Sequence, residues 1–189
     1  GTEAIIEQDA HIFKNEAGGM ARVAGVMPKR LPGVDGALDP ALVESQIGVP
    51  TVLNHGASLI CVEQTHNGAS GTAIPLENLS ALREVADKYG VKFHMDGARV
   101  FNAAIALSVP VSKVVEHVDS VTFCLSKGLC CPLGAIVAGS NDFIEQARFN
   151  RQTLGGGMRQ AGIIAAAGIY ALDNMVERLA EDHENAKRL

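Results

Sequence analysis

The chain has 189 residues, 47% of them hydrophobic and 20% charged, which suits a globular domain with a core of its own and neither a disordered nor a fibrous chain. A net charge of −5 gives no electrostatic footprint for nucleic acid. No apolar run reaches membrane-spanning length and the first residues lack the layout of a secretory leader, so no membrane partner is expected.

In chain order, Glu3 to Glu7 (E-A-I-I-E) reads as a strand and His11 to Ala17 as a helix stopped by Gly18-Gly19. Ala21 to Met27 reads as a second strand. Pro28 to Gly36, with two prolines and two glycines, reads as a loop. Asp39-Pro40 supplies an N-cap and an N1 proline for a helix to about Gln46. Thr51 to Ser58 is polar. Leu59 to Glu63 (L-I-C-V-E) is a buried strand, followed by Q-T-H-N-G. Pro75 opens a helix whose Leu76, Leu79, Leu82, Val85 and Ala86 share one face, and Gly90 ends it.

Strand Val91 to Met95, helix Ala98 to Leu107 and strand Ser120 to Leu125 continue the βαβ alternation of a mainly parallel sheet. Gly134 to Gly139 is a further strand. Asn141-Asp142 caps a helix to about Arg148, a long helix starts at Met158, and residues 177–189 continue helical. The fold class is therefore α/β, one mainly parallel sheet sandwiched by helices, with no internal repeat.

Two strand ends carry chemistry. V-K-F-H-M-D-G-A-R ends an apolar run on Asp96, with Arg99 three residues on. T-F-C-L-S-K-G ends another on Ser126 and Lys127. Open α/β sheets place function at this edge. A carboxylate, a guanidinium and an amine brought there suit pyridoxal phosphate, which needs a partner for its ring nitrogen and an amine for covalent attachment.

Each residue has a plainer reading as well. Lys127 by position alone is a solvated loop residue, but its neighbours are apolar, and desolvation favours the neutral amine that forms an imine. Asp96 could simply cap the helix after it. As a partner of the ring nitrogen, opposite charges ~4 Å apart at an effective dielectric of ~20 attract by about 4 kcal/mol, roughly three pKa units. Arg99 sits in a first helical turn, a poor place for a cation, which suggests an anionic partner. The cysteines at 61, 124, 130 and 131 lack zinc-like spacing, so no metal is expected; reduced thiols suit the cytoplasm or an organelle matrix.

The motifs H-M-D-G-A-R-V-F-N-A, C-L-S-K-G-L-C-C-P-L-G-A, E-Q-T-H-N-G and T-L-G-G-G-M-R-Q-A-G closely resemble those of the L-threonine aldolases of the low-specificity or L-allo type, which are fold-type-I pyridoxal-phosphate lyases. The resemblance spans the chain. It implies a pyridoxal-phosphate-binding large domain over residues 1–189, an excerpt whose upstream phosphate loop and C-terminal small domain lie outside it. It implies Lys127 as the imine-forming lysine, Asp96 as the ring-nitrogen partner and Arg99 near the cofactor oxygen and substrate carboxylate. Ser126 adjoins that lysine in the same cofactor-binding motif. His11 matches a histidine that stacks on the ring, His66 one near the substrate hydroxyl, and Arg159 a phosphate-binding arginine that reaches across a subunit interface.

Read without the resemblance, His11 is a helix-start residue and His66 is equally turn chemistry or catalysis. The expected function is cleavage of L-threonine or L-allo-threonine to glycine and acetaldehyde in a homo-oligomer, dimer or tetramer. The base would be His66 or a water it positions. Another reaction on the same scaffold, β-elimination or transamination, and a catalytically incomplete partner chain are the alternatives.

Overall fold

The computed structural model describes residues 2–189. Strand β1 (Glu3–Glu7) is followed by the short helices α1 (His11–Lys14) and α2 (Gly19–Arg22), then by strand β2 (Met27–Leu31). A hairpin of β3 (Gly33–Val34) and β4 (Ala37–Leu38) leads into helix α3 (Pro40–Ile47) and strand β5 (Ala57–Glu63). Next come α4 (Leu76–Tyr89), β6 (Lys92–Asp96), α5 (Val100–Leu107), α6 (Val111–Val115) and β7 (Ser120–Cys124). Strand β8 (Ala135–Gly139) and helices α7 (Asn141–Thr153), α8 (Gly162–Asn174) and α9 (Leu179–Arg188) complete the chain.

The six-stranded sheet has the order β2-β1-β5-β6-β7-β8. Every pairing is parallel except β7 with β8. The expected α/β class, a mainly parallel sheet with flanking helices, is what the chain forms. Parallel strands all finish at one edge, so Glu7, Glu63 and Asp96 end β1, β5 and β6 side by side. This edge is where the sequence's chemistry collects.

The apolar faces explain the layering. In α4, Leu79, Leu82 and Ala86 are fully buried and recur at helical spacing, and they pack with Ile5, Ile60 and Phe93 of the sheet in one core. Each of these leucine, isoleucine and phenylalanine side chains contributes about 1.5–3 kcal/mol through burial. Pro75 starts the helix, and Gly90 closes it in the left-handed region at φ +65°, donating its N–H back to Ala86 and Asp87. Asp39 caps α3 by accepting from the Ala41 N–H at 3.0 Å, as D-P promised. A smaller cluster of Leu125, Leu129, Cys131 and Ala171 lies under the loop after β7.

Several boundaries differ from the sequence reading. The strand expected over 21–27 is the end of α2 plus a turn at Gly25, whose φ of +64° interrupts any extended run. The strand comes later, as β2, inside the stretch expected to be a loop. Its Pro28 is tolerated because β2 is an edge strand, where a missing N–H need not break the ladder. The rest of that stretch is a hairpin turning on Asp35-Gly36, both at positive φ, the two-residue turn that matches strand twist.

Helix α1 stops at Lys14 rather than Ala17, because Ala17 itself has φ +50°. Strand β5 begins two residues earlier than expected, at Ala57, inside the polar stretch. Helix α5 begins at Val100, since residues 97–99 form the turn that follows Asp96. Helix α6 was not anticipated. Helix α7 is capped by Ser140, which accepts from the Phe143 N–H, and runs on to Thr153. Helix α8 starts at Gly162 rather than Met158, because the three glycines and the turn after them hold residues 155–161 out of it.

Candidate active site

Asp96 is the last residue of β6, in register with Glu63 of β5 on one side and Thr122 of β7 on the other. Its carboxylate is half-buried, accepts the Ala98 N–H at 3.3 Å and forms no ion pair among the described residues. Burial, reinforced by the neighbouring negative charge of Glu63, pushes its pKa above the usual carboxylate range. The Ala98 N–H and the positive charges of His11 and Lys127 only partly oppose this. No cation pairs directly with this carboxylate among the described residues. A protonated pyridine nitrogen would supply one, so this carboxylate fits pyridoxal phosphate.

Lys127 lies on the turn that leaves β7. The turn is closed by backbone bonds from the Cys130 N–H to the Lys127 carbonyl (2.9 Å), from Cys131 N–H to Leu125 carbonyl (3.0 Å) and from Leu125 N–H to Gly134 carbonyl (2.9 Å). Buried Leu125 and Leu129 anchor it on either side, leaving Lys127 half-buried and Ser126 exposed. Gly128 explains why the motif reads Lys-Gly. A Cβ there would stand 2.6 Å from Leu179 Cδ2 of α9 and 3.0 Å from Asn102 Oδ1 of α5. The amine is thus set on a tight loop backed by two helices.

Arg99 is the N-cap residue of α5, and its N–H reaches the Gln64 carbonyl at 3.4 Å. Its half-buried guanidinium makes no ion pair among the described residues, leaving its donors for an outside anion. Gln64, fully buried, ties the neighbourhood together: its side chain pairs with both the N–H (2.8 Å) and the carbonyl (3.0 Å) of Ile74, and its own N–H donates to the Asp96 carbonyl at 2.7 Å.

His11 opens α1 beyond the end of β1. Its ring is half-exposed, and Nδ1 lies 2.9 Å from Glu16 Oε1. His66 is different, being 1% exposed. Its Nδ1 accepts the Ala69 N–H at 3.2 Å, so the ring proton belongs on Nε2. Nε2 is 3.0 Å from Glu7 Oε2 and 3.8 Å from Glu63 Oε2. The shorter contact is too poorly aligned to count as a hydrogen bond, so it is electrostatic rather than directional. The β3–β4 hairpin presses on this ring: a Cβ at Gly36 would collide with the imidazole, and one at Gly33 would meet Glu7 Cγ at 2.7 Å.

The edge therefore sets Asp96 where the charges of His11 and Lys127 both act on it, with Arg99 on the turn after Asp96 and His66 buried behind Glu7 and Glu63. Arg159 makes no side-chain hydrogen bond or ion pair among the described residues and stands exposed on the turn ahead of α8. Sequence reasoning missed Glu63, Glu7 and Gln64. The signal for Glu63 was present, since L-I-C-V-E ends an apolar run on a carboxylate just as K-F-H-M-D does.

A family model described as "Beta-eliminating lyase" matches residues 1–189. The chain is 44% identical over 192 residues to low-specificity L-threonine aldolase 1 of Arabidopsis thaliana, covering all of this chain and 54% of that protein. It is 41% identical over 187 residues to the low specificity L-threonine aldolase of Escherichia coli (strain K12), covering 98% of this chain and 55% of the relative. The chain thus spans about half the length of these curated relatives. Among solved structures, the Leishmania major threonine aldolase superposes with a TM-score of 0.83 at 20% identity, over 98% of this chain and 55% of the other. A putative L-allo-threonine aldolase of Listeria monocytogenes gives a TM-score of 0.82 at 21% identity, over 95% and 48%. A Thermus thermophilus aspartate aminotransferase mutant shares the fold at a TM-score of 0.70.

Proposed function

The chain belongs to the beta-eliminating lyase family, and on that footing we propose that it is the cofactor-binding part of a pyridoxal-phosphate-dependent aldehyde-lyase that cleaves L-threonine or L-allo-threonine to glycine and acetaldehyde. The observation that supports the reading is a desolvated carboxylate, Asp96, and an amine, Lys127, at the ends of neighbouring strands of one sheet, with the lysine's charge acting on the carboxylate.

When bound, pyridoxal phosphate draws electrons away from the amino acid's α-carbon and so weakens the bonds to it. The residues supply the rest. Lys127 provides the amine that holds the cofactor covalently and yields to the substrate's own amine. Asp96 keeps the ring nitrogen protonated through its charge. Arg99 offers a guanidinium fork to the substrate carboxylate or the ring oxygen. The half-exposed His11 imidazole would pack against the cofactor ring and restrict its orientation.

The β-hydroxyl proton must leave as the Cα–Cβ bond breaks. It goes either to His66 or to a water that His66 holds. With Nδ1 taken by the Ala69 N–H and Nε2 protonated and buried against Glu7, the ring itself is a poor acceptor, so the proton is assigned to a water beside this turn. Ser126, beside Lys127, is exposed and can turn to the cofactor.

The assembly we propose is a homo-oligomer, dimer or tetramer. Exposed Arg159, and the exposed apolar side chains of Ile163, Ile169 and Tyr170 on α8, support a protein surface covering this side and a phosphate site completed by a neighbour. The four cysteines are free thiols, which supports a reducing compartment, the cytoplasm or an organelle matrix. No helix among the described residues is long and apolar enough to cross a membrane.

Product analysis tests the reaction. Incubating the enzyme that contains this chain with pyridoxal phosphate and L-threonine should yield acetaldehyde and glycine in equal amounts. Pyruvate from L-serine without acetaldehyde from L-threonine would assign β-elimination instead.

A further inference from the structure

Glu63 is 4% exposed, yet among the described residues it forms no ion pair with a lysine or arginine. Both of its oxygens are taken by backbone donors from two separate parts of the chain. Oε2 accepts the His11 N–H at 2.8 Å, 52 residues away in sequence, and Oε1 accepts the Asn67 N–H at 2.9 Å. The same Oε2 stands 3.8 Å from His66 Nε2. Glu7, on the neighbouring strand β1, approaches the same ring nitrogen and repeats the pattern, its Oε2 accepting the Asp9 N–H at 2.6 Å while lying 3.0 Å from Nε2.

We propose that Glu63 is a positioning residue: one rigid carboxylate that locks the start of α1, carrying His11, to the turn carrying His66 and Asn67, so that the two histidines keep a fixed separation at the sheet edge. The inference rests on the reading that both serve one reaction. Three features argue for a clamp rather than a passive buried charge. The acceptor is planar and its two oxygens are spoken for separately, so neither loop can shift without breaking a charge-assisted bond. A carboxylate this deeply buried must be met by directed donors, and here they are main-chain groups of the very loops in question. The third is that Glu63 sits on β5, inside the sheet, which makes the sheet the reference frame for both loops.

The chemistry of the side chain sets the tests. Glutamine has one acceptor oxygen and presents an NH₂ group to the second donor, so Glu63→Gln must lose one bond and weaken the other. Glu63→Asp keeps the charge but draws both oxygens back by a methylene. If Glu63 serves only as a negative charge beside the His66 Nε2–H, the aspartate variant should behave as the parent does.

Amide hydrogen exchange on the full chain without cofactor reads the clamp directly. With Glu63→Gln, exchange at His11 or Asn67 should accelerate by about tenfold or more, and with Glu63→Asp at both, while amides of α4 hold their protection. In the loaded enzyme, Glu63→Gln should keep the visible absorbance of bound pyridoxal phosphate and its KM, and lose about tenfold or more in kcat. Unchanged exchange at both amides, or a kcat within about twofold of the parent, would overturn the proposal. So would loss of protection across the whole sheet in both variants, which would make Glu63 a stability residue only. If the parent enzyme does not cleave threonine, the proposed function fails, while the exchange result still decides whether the clamp exists.

Discussion

Glu63 and Asp96 end neighbouring parallel strands in register, two carboxylates side by side on one sheet edge. They are treated oppositely. Glu63 is held by two backbone N–H groups, whereas Asp96 has a single long one and no ion pair among the described residues. Asp96 is thus the less well compensated member, and burial together with the Glu63 charge pushes its pKa up.

The first consequence concerns stability without cofactor. Because the folded pKa of Asp96 is raised, its contribution is best at pH below its unfolded value and is lost as pH rises through the folded one. Asp96→Asn should therefore raise the Tm of the cofactor-free chain by a few degrees at pH 7 and change it little at pH 3. In the same variant, uptake of pyridoxal phosphate and cleavage should fall sharply. Thermal melts at the two pH values with and without cofactor check both halves.

A control of opposite sign lies at the other end of β6. Burial pushes the Asp119 carboxyl up, but the Phe93 N–H (2.8 Å) and Arg83 (2.9 Å) outweigh it and hold the pKa below the usual value. Its stabilisation is present above the unfolded pKa and lost as pH falls through the folded one. Asp119→Ala should cost about 1–3 kcal/mol at pH 7, measured by urea denaturation, and far less at pH 3.

Gly36 offers a packing test. Its φ of +84° and the His66 ring that its Cβ would strike both oppose any side chain. Gly36→Ala should destabilise by about 1–3 kcal/mol, and a partly rescuing Gly36→Ala/His66→Ala double variant would show that the ring is the obstacle.

Gly128 tests the loop that bears the amine. Gly128→Ala must push Leu179 or Asn102 aside. The melt should change by only about 1–3 kcal/mol, as overpacking does, while affinity for pyridoxal phosphate falls more than stability does. Equal loss of both would mean that the loop has no special role in presenting Lys127.

Much of this was legible in the sequence because periodicity and punctuation agreed. L-I-C-V-E and K-F-H-M-D are apolar runs with acidic ends, and α4 carries its leucines on one face between Pro75 and Gly90. The region 17–38 was not, because Ala17 takes a left-handed backbone, Pro28 lies within a strand tolerated only at the sheet's edge, and the Asp35-Gly36 turn was hidden among other loop-forming residues. The tie between Glu63 and His11 was out of reach for another reason. It joins side chain to main chain across 52 positions, and no local pattern encodes it.

The most direct measurement of the central claim is the visible absorption of pyridoxal phosphate on the enzyme that contains this chain, before and after Lys127→Ala. The parent should show a band for covalently held cofactor, and the variant should lose both that band and threonine cleavage. A variant that keeps the band and the full cleavage rate would contradict the assignment of Lys127 and, with it, the site built around this sheet edge.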